Sequence, residues 1–147
     1  MKDVWFTISH LVSWCSGEGE SEGKFTFGGY LDEVKDLETV VAFLRNRNWR
    51  PWILIGHSRG SNVSILYTLK HPAVFRGVVT LSARYDISKG FSKRHEKDLI
   101  SMKQQGWFEF KLRWRGQMRD FRTTTAEWAI LLTIDDHLQK KCMFSFL

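Results

Sequence analysis

The chain has 147 residues, 22 Lys and Arg against 16 Asp and Glu, and a formal net charge of +6. That length fits one domain, and a hydrophobic fraction of 43% with 14% aromatic residues is enough for a core, so wholesale disorder is excluded. The two cysteines, Cys15 and Cys142, lie near opposite ends with no histidine at ligand spacing, which excludes a disulfide scaffold and a zinc module and leaves no metal or cofactor expected.

No apolar stretch approaches the roughly 18 residues of a membrane span. At the amino terminus Asp3 offsets Lys2 and His10 interrupts the apolar run, which argues against a secretory leader and makes a cytoplasmic setting the default. Val4 to Trp14 is rich in β-branched and aromatic residues and predicts a ragged strand. The loop SGEGESEGKFTFGG follows. Glu18, Glu20 and Glu22 stand between its glycines and would repel phosphate, so the loop reads as a tight turn with positive φ and not as a nucleotide cradle.

From Tyr30 to about Arg47, Leu31, Val34, Leu37, Val41 and Leu44 recur at helical spacing, with acids early and Arg45 and Arg47 late, as suits the helix dipole. Pro51 then introduces Trp52-Ile53-Leu54-Ile55, a continuous apolar run expected of a strand buried on both faces. Ser61 to Lys70 is helical in pattern and Pro72 marks its stop, after which Val78 to Leu81 predicts another buried strand. Alternation of strands and helices in this order argues for a mostly parallel α/β sheet. Beyond Tyr85 the rhythm changes. Glu96 to Gln105 reads as a helix, Phe108 to Trp114 as a short alternating strand, and Thr124 with Glu127 as a capping box opening a helix to about Lys140.

Gly56-His57-Ser58-Arg59-Gly60 matches G-x-S-x-G between the strand ending at Ile55 and the following helix. The pattern alone arises by chance in about one chain in twenty of this length; the strand before it and the helix after it make it far more specific. Such a turn exposes the serine Oγ at the carboxyl end of the sheet. The glycines at 56 and 60 are expected to let helix and strand approach, and the backbone N–H of Arg59 can donate to an oxyanion, worth on the order of 3 kcal/mol. The competing reading is a glycine-rich turn with an inert Ser58. His57 points away from its neighbour and is not expected to act as its base, and the Arg59 side chain is expected to face solvent.

These residues resemble the α/β-hydrolase superfamily, particularly serine-aminopeptidase-like and esterase-like members with a GHSxG elbow. SGEGESEG resembles the loop after the fourth sheet strand, Tyr30 to Arg47 the next helix, ILIGHSRG the fifth strand and elbow, and VVTLSARYD the sixth strand and its exit. Residues 87 to 140 resemble the variable cap. The resemblance implies an incomplete α/β-hydrolase fold, with residues 1–86 as a partial core and 87–147 as a helical, cap-like segment. It also implies truncation at both ends, before the strands that bear the triad acid and histidine. Ser58 would attack a small-molecule ester or peptide-like substrate, with weak activity or none; the alternative is an inactive binding or interaction fragment. An internal triad of Ser58, Asp86 and His95 or His137 keeps the right chain order, although both histidines lie among charged neighbours that suit a solvated surface better.

The positive charge is local. Residues 84–122 carry +6, where Trp107, Phe108, Phe110, Trp114 and Phe121 alternate with Lys111, Arg113, Arg115, Arg119 and Arg122, whereas the flanking segments nearly balance. Such interleaving suits single-stranded nucleic acid, but a solvated face with inward aromatics is the better account, so nucleic acid is not the expected partner. A short sheet with uncovered edges predicts self-association through those edges.

Overall fold

The computed structural model describes residues 9–84, 96–114 and 116–129. Its first half is built on one β-α-β unit. Helix α1 (Tyr30–Asn46) precedes strand β1 (Ile53–His57), helix α2 (Arg59–Lys70) and strand β2 (Gly77–Leu81). β1 and β2 pair in parallel, with Ile53 opposite Gly77, Ile55 opposite Val79 and His57 opposite Leu81, and α2 is the crossover that a parallel pair requires.

Of the apolar stripe foreseen on α1, Val34, Val41 and Leu44 are buried and Leu37 partly so, whereas Leu31 is 51% exposed and Tyr30 takes its place in the core. Tyr30, Val34 and Val41 pack with Val63, Leu66 and Tyr67 of α2, and Leu54 of β1 closes the cluster from the sheet side. Asp32 and Glu33 occupy the first turn of α1 and Arg45 its last, matching the dipole. The glycine loop also folds as expected, with φ of 77° at Gly17 and 98° at Gly23.

The second half consists of helix α3 (Glu96–Gln105) and a hairpin of β3 (Trp107–Trp114) and β4 (Gln117–Thr124). The sequence reading found β3 but missed β4, so the cap-like segment is less helical than expected. In β4 the polar positions outnumber the apolar ones, and only Phe121 and Thr123 turn inward opposite Phe110 and Phe108. Met102, Phe108 and Phe110 form a second buried cluster, against which Phe27, Phe121 and Trp128 pack. Phe27 and Trp128 also pack on the first cluster, so both halves share these two rings. The capping box is present: Glu127 Oε2 accepts from Thr124 N at 2.8 Å, and Glu127 N donates to Thr124 Oγ1 at 3.3 Å.

Three expectations are corrected. Residues 9–14 form no strand; Leu11 and Val12 are exposed, with no neighbouring strand to reward extension, while positions 4–8 lie outside the described residues. Consequently the sheet of the first half has two strands among the described residues, not three. Among the described residues β1 is covered on one face: Leu54 and Gly56 turn toward the helices, whereas Ile53 and Ile55 are 59% and 66% exposed. The described part of the basic stretch presents a solvated face with inward aromatics, as expected. On the outer face of the hairpin Glu109 pairs with Arg122 and Lys111 with Asp120, while Phe108 and Phe110 point inward. Among the described residues no helix is long and apolar enough to cross a membrane.

Candidate active site

Ser58 sits between β1 and α2 with φ 53° and ψ −117°, a conformation that side-chain-bearing residues rarely adopt and that costs on the order of 1–3 kcal/mol. The surroundings over-determine it. Ser58 N donates to Leu81 O at 2.8 Å, and Ser61 N returns to Ser58 O at 3.1 Å. Ser61, fully buried, lies beneath the turn. Its hydroxyl is 2.7 Å from Gly56 O and 2.8 Å from Leu81 O, and it accepts Leu81 N–H at 3.1 Å. One small side chain therefore ties the ends of both strands to α2. Next to it, Asn62 clamps the exit of β2, donating to Arg84 O at 2.6 Å and accepting from Arg84 N at 3.1 Å.

The two elbow glycines are not equivalent. A Cβ at Gly56 would collide with Gly60 O and come within 2.6 Å of Ser64 Oγ, so close approach does demand glycine there. At Gly60 the same test meets no atom within 4 Å among the described residues, which corrects the expectation of steric need at that position. It is the Gly60 carbonyl, not its Cα hydrogens, that packs against the strand.

Ser58 is exposed and stands as N-cap of α2, where the first helical amides have no intrahelical acceptor. The amides of Arg59 and Gly60 thus point toward the Ser58 end of the helix with no acceptor among the described residues. His57 is exposed at the end of β1, and by strand alternation its side chain lies on the same face as Ile53 and Ile55. No side chain among the described residues hydrogen-bonds Ser58 Oγ. Asp86, His95 and His137, the candidates for acid and base, lie outside the described residues.

Arg59 departs most from expectation. Its side chain is not in solvent but folded back between α1 and the glycine loop, 16% exposed. Nε donates to Glu33 Oε1 at 2.6 Å, Nη1 to Phe27 O at 2.7 Å and Nη2 to Thr26 O at 2.9 Å, and the guanidinium lies 4.0 Å over the Tyr30 ring. A planar fork with five donors suits two carbonyls and a carboxylate at once, as an ammonium would not. Glu33 is held above its ordinary carboxylate range because burial disfavours its charge, an effect the Arg59 hydrogen bond opposes. The same enclosure pushes the Cys15 thiol up to about 12, through desolvation first and then Glu33, Glu18 and Asp36. The pairing of positions 33 and 59 spans 26 residues, so no local spacing announces it.

Two shallow depressions of about 410 and 480 Å³ share Arg45 and Val74 and lie where α1 and α2 end, at the opposite end of the β-α-β unit from Ser58. They play no part in the elbow. Among the described residues no group of three His, Cys, Asp or Glu could hold a metal ion.

Residues 15–141 match the family described as serine aminopeptidase, S33. No curated protein matches the chain.

Proposed function

The chain belongs to the serine aminopeptidase S33 family of α/β-hydrolases, and on that premise we propose that Ser58 is the nucleophile of a serine hydrolase acting on an ester or a peptide-like amide. Ser58 Oγ attacks the substrate carbonyl carbon, the carbonyl oxygen takes up negative charge, and collapse expels the alcohol or amine to leave an acyl-Ser58 ester that water then hydrolyses. The Arg59 amide at the N-terminus of α2 is one oxyanion donor. Residues 1–86 serve as the core and 87–147 as a cap over the substrate, in a cytoplasmic setting. The observation that carries this reading is the strained Ser58 backbone, held by Leu81 and Ser61 at the exposed end of β1.

A second reading keeps the elbow as architecture in a binding fragment with little or no activity. It is favoured by the bare Ser58 Oγ, which no base touches among the described residues; without a base such an enzyme loses roughly four to six orders of magnitude in rate. Labelling the whole chain with a fluorophosphonate probe, with Ser58→Ala as control, separates the two. Labelling that vanishes in the variant means an activated nucleophile. No labelling of a folded sample means that the elbow is structural.

A further inference from the structure

We infer that Glu33 and the side chain of Arg59 are positioning residues for the oxyanion donor, on the premise that Ser58 is the nucleophile. A backbone amide stabilises developing charge only when it is fixed in place beforehand, and around residue 59 the backbone is fastened unevenly. On the strand side, Ser58 N donates to Leu81 O at 2.8 Å, and the Ser61 hydroxyl lies 2.7 Å from Gly56 O and 2.8 Å from Leu81 O. Between these two fastenings stand Arg59 and Gly60, whose amides have no acceptor among the described residues. Gly60 has the greatest backbone freedom of any residue type, and a Cβ there would meet no atom within 4 Å, so no side-chain packing steadies that flank. The Arg59 side chain supplies the restraint from the other side.

That side chain is anchored on two other parts of the fold. Nε donates to Glu33 Oε1 of α1 at 2.6 Å, and Nη1 and Nη2 donate to Phe27 O and Thr26 O, in the loop that leads into α1, at 2.7 and 2.9 Å. The guanidinium carbon lies 4.0 Å from the centre of the Tyr30 ring and 5.0 Å from that of Phe25. With 16% of the Arg59 side chain and 7% of the Glu33 side chain exposed, water and salt screen the pair little. A rigid planar fork engaged at three points leaves the side chain one arrangement, and this fixes the Cα that carries it. Ser61 and Asn62 already secure α2 to the strands; the further anchor falls on the residue whose amide the chemistry uses. Glu33 thus directs the guanidinium, the guanidinium holds residue 59, and the amide of residue 59 faces the developing charge, without either side chain touching the substrate.

The test is the kinetics of fluorophosphonate labelling of the full chain, resolved into a half-saturating probe concentration and a limiting rate. Ser58 Oγ displaces fluoride from phosphorus, and the phosphoryl oxygen takes up charge where a substrate oxyanion would, so the limiting rate reads the donor. The deciding variant is the double change Arg59→Met with Glu33→Leu, which removes the tie without leaving a buried charge unpaired and so keeps the chain folded, as circular dichroism verifies. Its limiting rate is expected to fall about 10- to 100-fold, the range that a displaced donor costs, with the half-saturating concentration changed by less than about twofold. Glu33→Gln keeps an acceptor for Arg59 Nε and is expected to label within about threefold of the wild-type rate, and Arg59→Lys, which keeps the charge but not the fork, is expected to fall between. If Arg59 and Glu33 only stabilise the fold, the folded double variant labels at the wild-type limiting rate. That outcome, or a loss confined to the half-saturating concentration, overturns the inference and leaves Ser58 as the nucleophile. No labelling of the folded wild-type chain overturns both.

Discussion

Replacing Arg59 with methionine tests the idea that the residue after the nucleophile is a structural tie. The change keeps an unbranched, helix-compatible stem but removes every donor. It strips Glu33 of its 2.6 Å partner and removes the Arg59 hydrogen bonds to the carbonyls of Phe27 and Thr26, the second of which still accepts from Gly29 N at 3.0 Å. Breaking a buried ion pair by removing one member costs about 3–5 kcal/mol. Arg59 retains 16% side-chain exposure and Glu33 7%, and Glu33 can shed part of the cost by taking up a proton, so the lower end, about 3 kcal/mol, is expected at neutral pH. For a chain of this size that is a fall in Tm of about 10 °C.

The loss should also depend on pH in a defined direction. Burial already raises the folded-state pKa of Glu33 above 4.5, and both influences that lower it come from Arg59. In Arg59→Met the folded-state pKa rises further while the unfolded value does not. The native variant therefore binds more protons than its unfolded chain, and its deficit, full above the new folded value, shrinks as the pH falls toward 4.5. Denaturant titrations at about pH 8 and pH 5 measure the deficit directly, and Glu33→Leu added to Arg59→Met should recover much of it, since no buried charge is then unpaired. A loss below about 1 kcal/mol, or one that grows on acidification, would refute the reasoning.

The remaining predictions concern the elbow and the thiol. Gly56→Ala drives a methyl group into Gly60 O and Ser64 Oγ and should cost about 2–3 kcal/mol in a denaturant melt, whereas Gly60→Ala meets open space and should be neutral or stabilising by up to about 1 kcal/mol. Ser58→Gly relieves the positive φ that Ser58→Ala retains, so the glycine variant should be the more stable of the two by about 1 kcal/mol. Cys15, its thiol pushed up to about 12, should react with a disulfide reagent at pH 8 roughly a thousandfold more slowly in the folded protein than in denaturant, with Cys142→Ser used to isolate its signal. Equal rates in the two states would remove the enclosure argument.

What the sequence disclosed follows from the range of the interactions involved. Helices α1 and α2, the capping box at Thr124 and the turn around Ser58 rest on patterns within a few residues, and each was legible. The bare side of β1 was not, because Trp52-Ile53-Leu54-Ile55 reads the same whether its second face meets a helix, another copy or water. The burial of Arg59 was hidden for a related reason: a cation beside a glycine turn is normally solvated, and only the fold brings Glu33 to it across 26 positions. β4 was missed because its outward residues are polar, and half-polar alternation in a hairpin carries a weak signal until β3 supplies the partner.

Phe27 meets Phe110 edge to face at 5.0 Å and also packs against the α1–α2 cluster, with Trp128 spanning the same two groups. Each cluster thus has these two rings as a shared part of its wall. Melting the hairpin first would strip a wall from the helical core, and loosening the helices would do the same to the hairpin, so the two halves should unfold in one cooperative step. Phe27 is the place where that cooperativity could be cut: with alanine there, each half would keep its own hydrogen bonds but lose the shared ring, and the single transition would separate into two.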